Sequence, residues 1–176
     1  MSKTIRKPDL KRSDDRNIPI DFLQTMEMFN RLLKENKLPP VPREKPITPE
    51  EIEKYWVPNS DKTITYLGFE DAKLKVSGTL FTSQDANKYS KESGRETEYA
   101  LIFEPGHKEM AKELTKEVIE EASGKGFKFI LHSSINNKVE NQIMEELGYE
   151  PEETIDNERY GKAGLDPKVN RYVIEP

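Results

Sequence analysis

Residues 103–151 read FEPGHKEMAKELTKEVIEEASGKGFKFILHSSINNKVENQIMEELGYEP, and this stretch decides the fold. A strand ending at Phe103 runs into Pro105-Gly106. From His107 to Ala122, Met110, Ala111, Leu114, Val118, Ile119 and Ala122 recur at helical spacing. Glu and Lys fill the other positions, which predicts an amphipathic helix. Ser123-Gly124-Lys125-Gly126 ends it with glycines suited to positive φ. Phe127–His132 (FKFILH) is a short buried strand. Asn136-Asn137 opens another helix with Val139, Ile143, Met144 and Leu147 as its apolar side and Gly148 as its stop.

Upstream of this stretch, Thr97–Phe103 (TEYALIF) is apolar in its second half and predicts a central strand. Thr63–Leu67 and Lys73–Phe81 alternate with period two and predict an antiparallel pair around a turn at Glu70-Asp71. Residues 82–96 form a long polar loop, a length that implies mobility or a contact. Residues 20–36 predict a helix carrying Phe22, Met26, Phe29 and Leu33. Residues 38–49 are proline-rich and extended, either a stiff connector or a docking segment. Thr48-Pro49 starts a short helix that carries Trp56 and stops at Pro58. Residues 1–17 form a charged arm in which Thr4-Ile5-Arg6 can be a first strand. Downstream, the loop 161–164 leads to a final strand at Arg171–Ile174.

The resulting order is a mixed α/β domain with helices over a central sheet. We divide the chain into an N-terminal arm (1–17) and one domain (18–176). Within that domain, 18–60 is a helical, proline-rich lead-in and 61–176 is the sheet core.

The chain has 176 residues, enough for one domain with its own core. Charged residues (35%) outnumber hydrophobic ones (34%), so much of the length must be surface. A net charge of -5 argues against nonspecific nucleic-acid binding by the whole surface. The absence of cysteine excludes disulfides and thiolate chemistry, and two histidines make a His-rich metal site unexpected. No apolar run approaches the ~18 residues of a membrane helix, and the basic N-terminus lacks an apolar segment behind it. The expected location is the cytoplasm.

Lys116–Pro151, with its Asn pair before a helix and its Leu-Gly-Tyr-Glu-Pro ending, resembles the GNAT superfamily of acyl-CoA N-acyltransferases. The element order extends this resemblance weakly over nearly the whole chain. It implies acetyl-CoA as acyl donor, with its pyrophosphate on a helix N-terminus where unpaired amides and the helix dipole favour an anion. The matching positions are Gly106, His107, Lys108, Glu109, Met110 and Ala111, and of the family's small-residue pattern only Ala111 agrees. Glu109 puts a carboxylate where the phosphate is expected, with Glu104 and Glu113 near it in sequence. His107 or Lys108 is the candidate counter-cation. Asn136 or Asn137 would touch the pantetheine or adenosine side.

Glu98, Glu104 and Tyr149 are the catalytic candidates. Glu96 and Glu98 lie where such enzymes often put a general base, or are solubilising charges at a strand end. The family's proton-donating tyrosine position holds Met144. His132 reads as a structural histidine.

Two readings follow. One is a GNAT-fold protein that does not acetylate and acts as a binding or structural component. The arm and loop 82–96 would then contact a protein partner, a reuse similar in type to acetyltransferase-like proteins in bacteriophage virions. The other is an acyl-CoA-dependent N-acetyltransferase using direct attack by an amine. It requires the helix N-terminus to be open and Glu109 to turn away.

Overall fold

The computed structural model describes residues 2–8, 63–82, 97–162 and 166–176. The expected helices over 20–36 and 48–58, the proline-rich stretch, most of the 1–17 arm and nearly all of loop 82–96 lie outside the described residues.

Two antiparallel sheets form the scaffold. β1 (Lys3–Arg6), β2 (Thr63–Glu70), β3 (Lys73–Phe81) and β4 (Glu98–Phe103) make one sheet in the order β1-β2-β3-β4. β5 (Phe129–Ser134), β6 (Glu153–Asp156) and β7 (Lys168–Ile174) make the other, in the order β5-β7-β6. Helix α1 (Lys108–Gly124) joins β4 to β5, and α2 (Lys138–Glu146) follows β5. The short α3 (Glu158–Lys162) lies between β6 and β7.

The β2–β3 hairpin turns through Asp71 and Ala72, one residue beyond the expected centre. Their φ values of 48° and 61° match the primed turns that follow strand twist. Ser2 clamps this turn: its carbonyl accepts from the Asp71 amide at 2.9 Å, and its own amide donates to Asp71 Oδ1 at 3.0 Å. Gly68 pairs with Val76 and Phe69 with Leu74, so Lys75 is the extra residue of a bulge.

The apolar stripe read from the sequence is the buried face of α1. Met110, Ala111, Leu114, Val118, Ile119 and Ala122 are all buried, and Thr115 joins them. Each large side chain there contributes roughly 1.5–3 kcal/mol through removal from water. This face lies on β2 and β3, where glycines let it approach closely. A Cβ on Gly78 would collide with the Tyr99 hydroxyl and a Leu114 methyl. At the far end of α1, Glu121 gathers Lys7 Nζ at 2.6 Å, Lys125 Nζ at 2.6 Å and the Tyr66 hydroxyl at 2.8 Å. Burial alone would raise the Glu121 carboxyl, but these donors hold it at about 2. Residues just past β1 are thereby fastened to α1.

One expectation needs correction, and one strand has no counterpart among the elements expected from the sequence. Val139, placed on the apolar side of α2, is 41% exposed, and Glu140 is buried instead. The reason is local: Glu140 is folded back onto the residue that caps the helix. The segment 153–156 is a strand, although its sequence (ETID) offers one half-buried residue, Ile155.

Gly78→Val should lower the unfolding free energy by about 1–3 kcal/mol, the usual cost of overpacking a filled core. Gly124→Ala, at a position with open space around it, should instead stabilise by up to about 1 kcal/mol. Urea denaturation of the two variants checks both signs.

Candidate functional site

β4 and β5 belong to different sheets, so no strand ladder joins them. They meet at their starts, where the Thr97 hydroxyl donates to the Lys128 carbonyl at 2.5 Å and the rings of Tyr99 and Phe129 stack at 4.7 Å. Their C-terminal ends therefore share the opposite edge, where α1 and α2 begin. The Gly106–Ala111 segment and the Asn pair lie at these two neighbouring strand ends.

The first turn of α1 carries no side-chain cap. Helix amides at this position have no partner within the helix, so those of Lys108, Glu109 and Met110 point outward. Gly106 precedes them at φ 88°, a conformation that favours glycine, with open space beside it. The Glu109 side chain is 66% exposed and pairs with Lys112 at 2.7 Å, one turn along α1. Lys108 and Lys112 both reach Glu146, the last residue of α2. Hydrogen bonds from Lys108 and Lys112 lower the Glu146 carboxyl. Hydrogen bonds to Glu109 and then Glu146 raise the Lys112 ammonium.

Two further carboxylates near this turn, Glu104 and Glu70, are also paired. Glu104 binds Lys75 of the bulge at 2.6 Å, and its amide donates to the Lys75 carbonyl at 2.9 Å. His107 Nε2 lies 3.0 Å from Glu70. Met110 and Ala111 face the core. The cradle expected from the sequence is thus divided: Gly106, Lys108 and Glu109 face outward, His107 is tied to β2, and Met110 and Ala111 hold the helix down.

The Asn pair also divides. Asn136 is exposed, and its amide donates to Ser134 Oγ at 3.2 Å. Asn137 is the N-cap of α2: its Oδ1 accepts the Glu140 amide at 3.2 Å and its Nδ2 donates to Glu140 Oε2 at 3.1 Å. The same Oε2 accepts from Ser133 Oγ of β5 at 2.5 Å. This is a reciprocal cap in which Asn and Glu, three residues apart, satisfy one another. The Asn-x-x-Glu spacing is visible in the sequence, but spacing alone does not show that Glu140 turns inward. Burial raises the Glu140 carboxyl to about 7, and the Ser133 hydrogen bond only partly opposes this.

On the other face of the sheet, Glu98 Oε1 lies 3.5 Å from His132 Nδ1, so the two side chains bridge β4 and β5. The sequence had offered Glu98 as a base and His132 as structural; the structure brings them together. Tyr149 packs against the core, and its amide donates to the Met144 carbonyl at 2.9 Å. Among the described residues no helix is long and apolar enough to cross a membrane.

Comparison with solved structures identifies the architecture. An N-acetyltransferase from Staphylococcus aureus Mu50 superposes with a TM-score of 0.67 at 16% identity, covering 99% of both chains. An acetyltransferase of the GNAT family from Streptococcus pneumoniae superposes with a TM-score of 0.65 at 17% identity, again covering 99% of both. The chain has the GNAT fold. The Salmonella typhimurium protein yncA, whose structure contains its cofactor acetyl-CoA, gives a TM-score of 0.67 at 13% identity, over 99% of this chain and 94% of that one. No family model and no curated protein matches the sequence. The likeness is one of fold, and what the site can do rests on its own side chains.

Glu140 makes stability depend on pH in a known direction. Its folded pKa lies above its ordinary value of 4.5, so the contribution is full below pH 4.5 and is lost as pH rises through about 7. Glu140→Gln should therefore match the parent at pH 4.5 and exceed it at pH 8 by up to about 3 kcal/mol. Denaturant titrations of both proteins across this range would show the divergence, and parallel curves would refute it.

Proposed function

We propose that this chain is an acyl-CoA-dependent N-acyltransferase. The observation that carries the reading is the uncapped first turn of α1, from which Glu109 is drawn aside by Lys112. The residues present suit a diphosphate: outward amides, a glycine permitting close approach, and two lysines at the rim. Glu104, Glu109 and Glu146, which would oppose an anion, are each held by a lysine.

When bound, acetyl-CoA supplies an activated thioester. The chain's own tasks are to fix the diphosphate at Gly106–Met110, to line the route with Asn136, and to keep the β4–β5 seam free of backbone pairing. The Glu98–His132 pair stands across that seam as the acceptor of the amine's proton. An amine held on this face attacks directly, without a covalent enzyme intermediate.

A second reading is favoured by one specific observation: Met144 is fully buried at the family's tyrosine position, and a thioether donates no proton. In that reading the protein is a non-acetylating binding or structural component, in the cytoplasm or in a virion. It meets a protein partner through residues 1–17 and 82–96.

Calorimetry separates the two. The enzyme reading expects micromolar acetyl-CoA binding, weakened about tenfold or more when Lys108→Ala and Lys112→Ala are combined, with unchanged thermal melting. Absence of binding at millimolar acetyl-CoA would reject it in favour of the second.

A further inference from the structure

Alternate residues of a strand face opposite sides of its sheet. Along β5, Phe129, Leu131 and Ser133 face the helices, whereas His132 faces the other way, toward Glu98. The seam beside β5 thus carries a titratable pair on one face and a second titratable group, Glu140, on the other. Glu140 is 8% exposed and is held by Ser133 and Asn137. Its charge is felt by two buried tyrosines on the strands either side of β5, Tyr99 of β4 and Tyr172 of β7. Among the described residues no lysine or arginine is paired with it. Met144, one helical turn further along the same face of α2, is apolar and fully buried.

We propose that Glu140 is the acid that protonates the departing sulfur in acyl transfer, with the Glu98–His132 pair as the base on the opposite face of the seam. This rests on the acyltransferase reading above. The balance is simple. The amine nitrogen forms the new bond to the acyl carbon and loses its proton to Glu98–His132. The carbon–sulfur bond breaks with its electron pair on sulfur, and Glu140 gives that sulfur a proton. Glu140 ends as a carboxylate and the base ends protonated, and exchange with water resets both.

Two features suit Glu140 to the task. Burial without a cationic partner keeps it protonated to near neutral pH, where an ordinary carboxyl has already ionised. The competing hydroxyls are occupied: Tyr99 meets Thr115 at 3.0 Å beneath α1, and Tyr172 donates to Asn141 at 2.8 Å. Burial raises both tyrosines further from neutrality.

The test uses the full chain with carboxyl-labelled glutamate, Glu140 being assigned by its loss in Glu140→Gln. CoA and desulfo-CoA, which lacks the thiol, are compared by NMR titration, with binding of each followed by calorimetry. The expected result is that CoA displaces the Glu140 midpoint by about half a pH unit or more, while desulfo-CoA binds and leaves it in place. Glu140→Gln should retain acetyl-CoA affinity within about twofold while its turnover falls about 100-fold and loses its alkaline limb. Equal effects of the two ligands, or undiminished turnover of the variant, would overturn the role of Glu140 and leave the acyltransferase reading standing. If neither ligand binds the parent protein, that reading falls and this one falls with it.

Discussion

The absence of a ladder between β4 and β5 is the constraint to which the rest of the structure answers. Two strands lying side by side ordinarily pair, because unpaired backbone groups in a protein interior are costly. Here the strands meet through side chains, Thr97 with Lys128, Tyr99 with Phe129 and Glu98 with His132, and they belong to separate sheets. Each strand must then be held from its other side. β4 is held by β3 along six residues, and β5 by β7 along six. α1 lies across the first sheet with its buried stripe and connects it to the second. The gap is thus a built feature, maintained by strong pairing on both flanks.

Electrostatics around that gap work by local cancellation. The chain is acidic, and four glutamates stand near the first turn of α1. Each is matched with a lysine or histidine: Glu104 with Lys75 of the bulge, Glu109 with Lys112 of the same helix, Glu146 with Lys108 reaching α2, and Glu70 with His107 reaching β2. Pairs open to solvent contribute little to stability individually, about 0–1 kcal/mol, and these are only partly covered. What they change is the field at the helix terminus, where uncompensated carboxylates would repel an anion. Glu140 is the exception. Among the described residues it is paired with no lysine or arginine, and its burial therefore holds its proton more tightly than in an ordinary carboxyl group.

Much of this architecture was legible in the sequence. The α1 stripe was long and strictly periodic, and Asn137 and Gly148 marked the limits of α2. The hairpin followed from alternation, and Thr4-Ile5-Arg6 stood out as a first strand. What stayed hidden depended on contacts distant in the chain or on side chains that break the usual division of polar and apolar. Val139 looked buried because it is apolar, yet the reciprocal cap turned Glu140 inward and rotated Val139 out. β6 owes its existence to backbone pairing with β7 rather than to its own residues. At the site, Glu98 and His132 could each be singled out, but their meeting could not, since it crosses a seam that no ladder fixes. Lys75 became the partner of Glu104 only through a bulge, and bulges leave little trace in composition.

One consequence concerns the order in which the chain is made. β1 pairs with β2 in register Lys3 to Glu70, and residues 7–62 separate the two strands. During synthesis β1 therefore emerges well before the strand it needs. At about 5–20 residues per second the wait is roughly 3–13 s, long compared with the microseconds in which a hairpin forms. The β2–β3 pair, whose turn is local, has no such delay. The first of the described strands thus cannot settle until β2 has followed it. Its clasps, Ser2 on the hairpin turn and Lys7 on Glu121, close only after β2, β3 and α1 have left the ribosome.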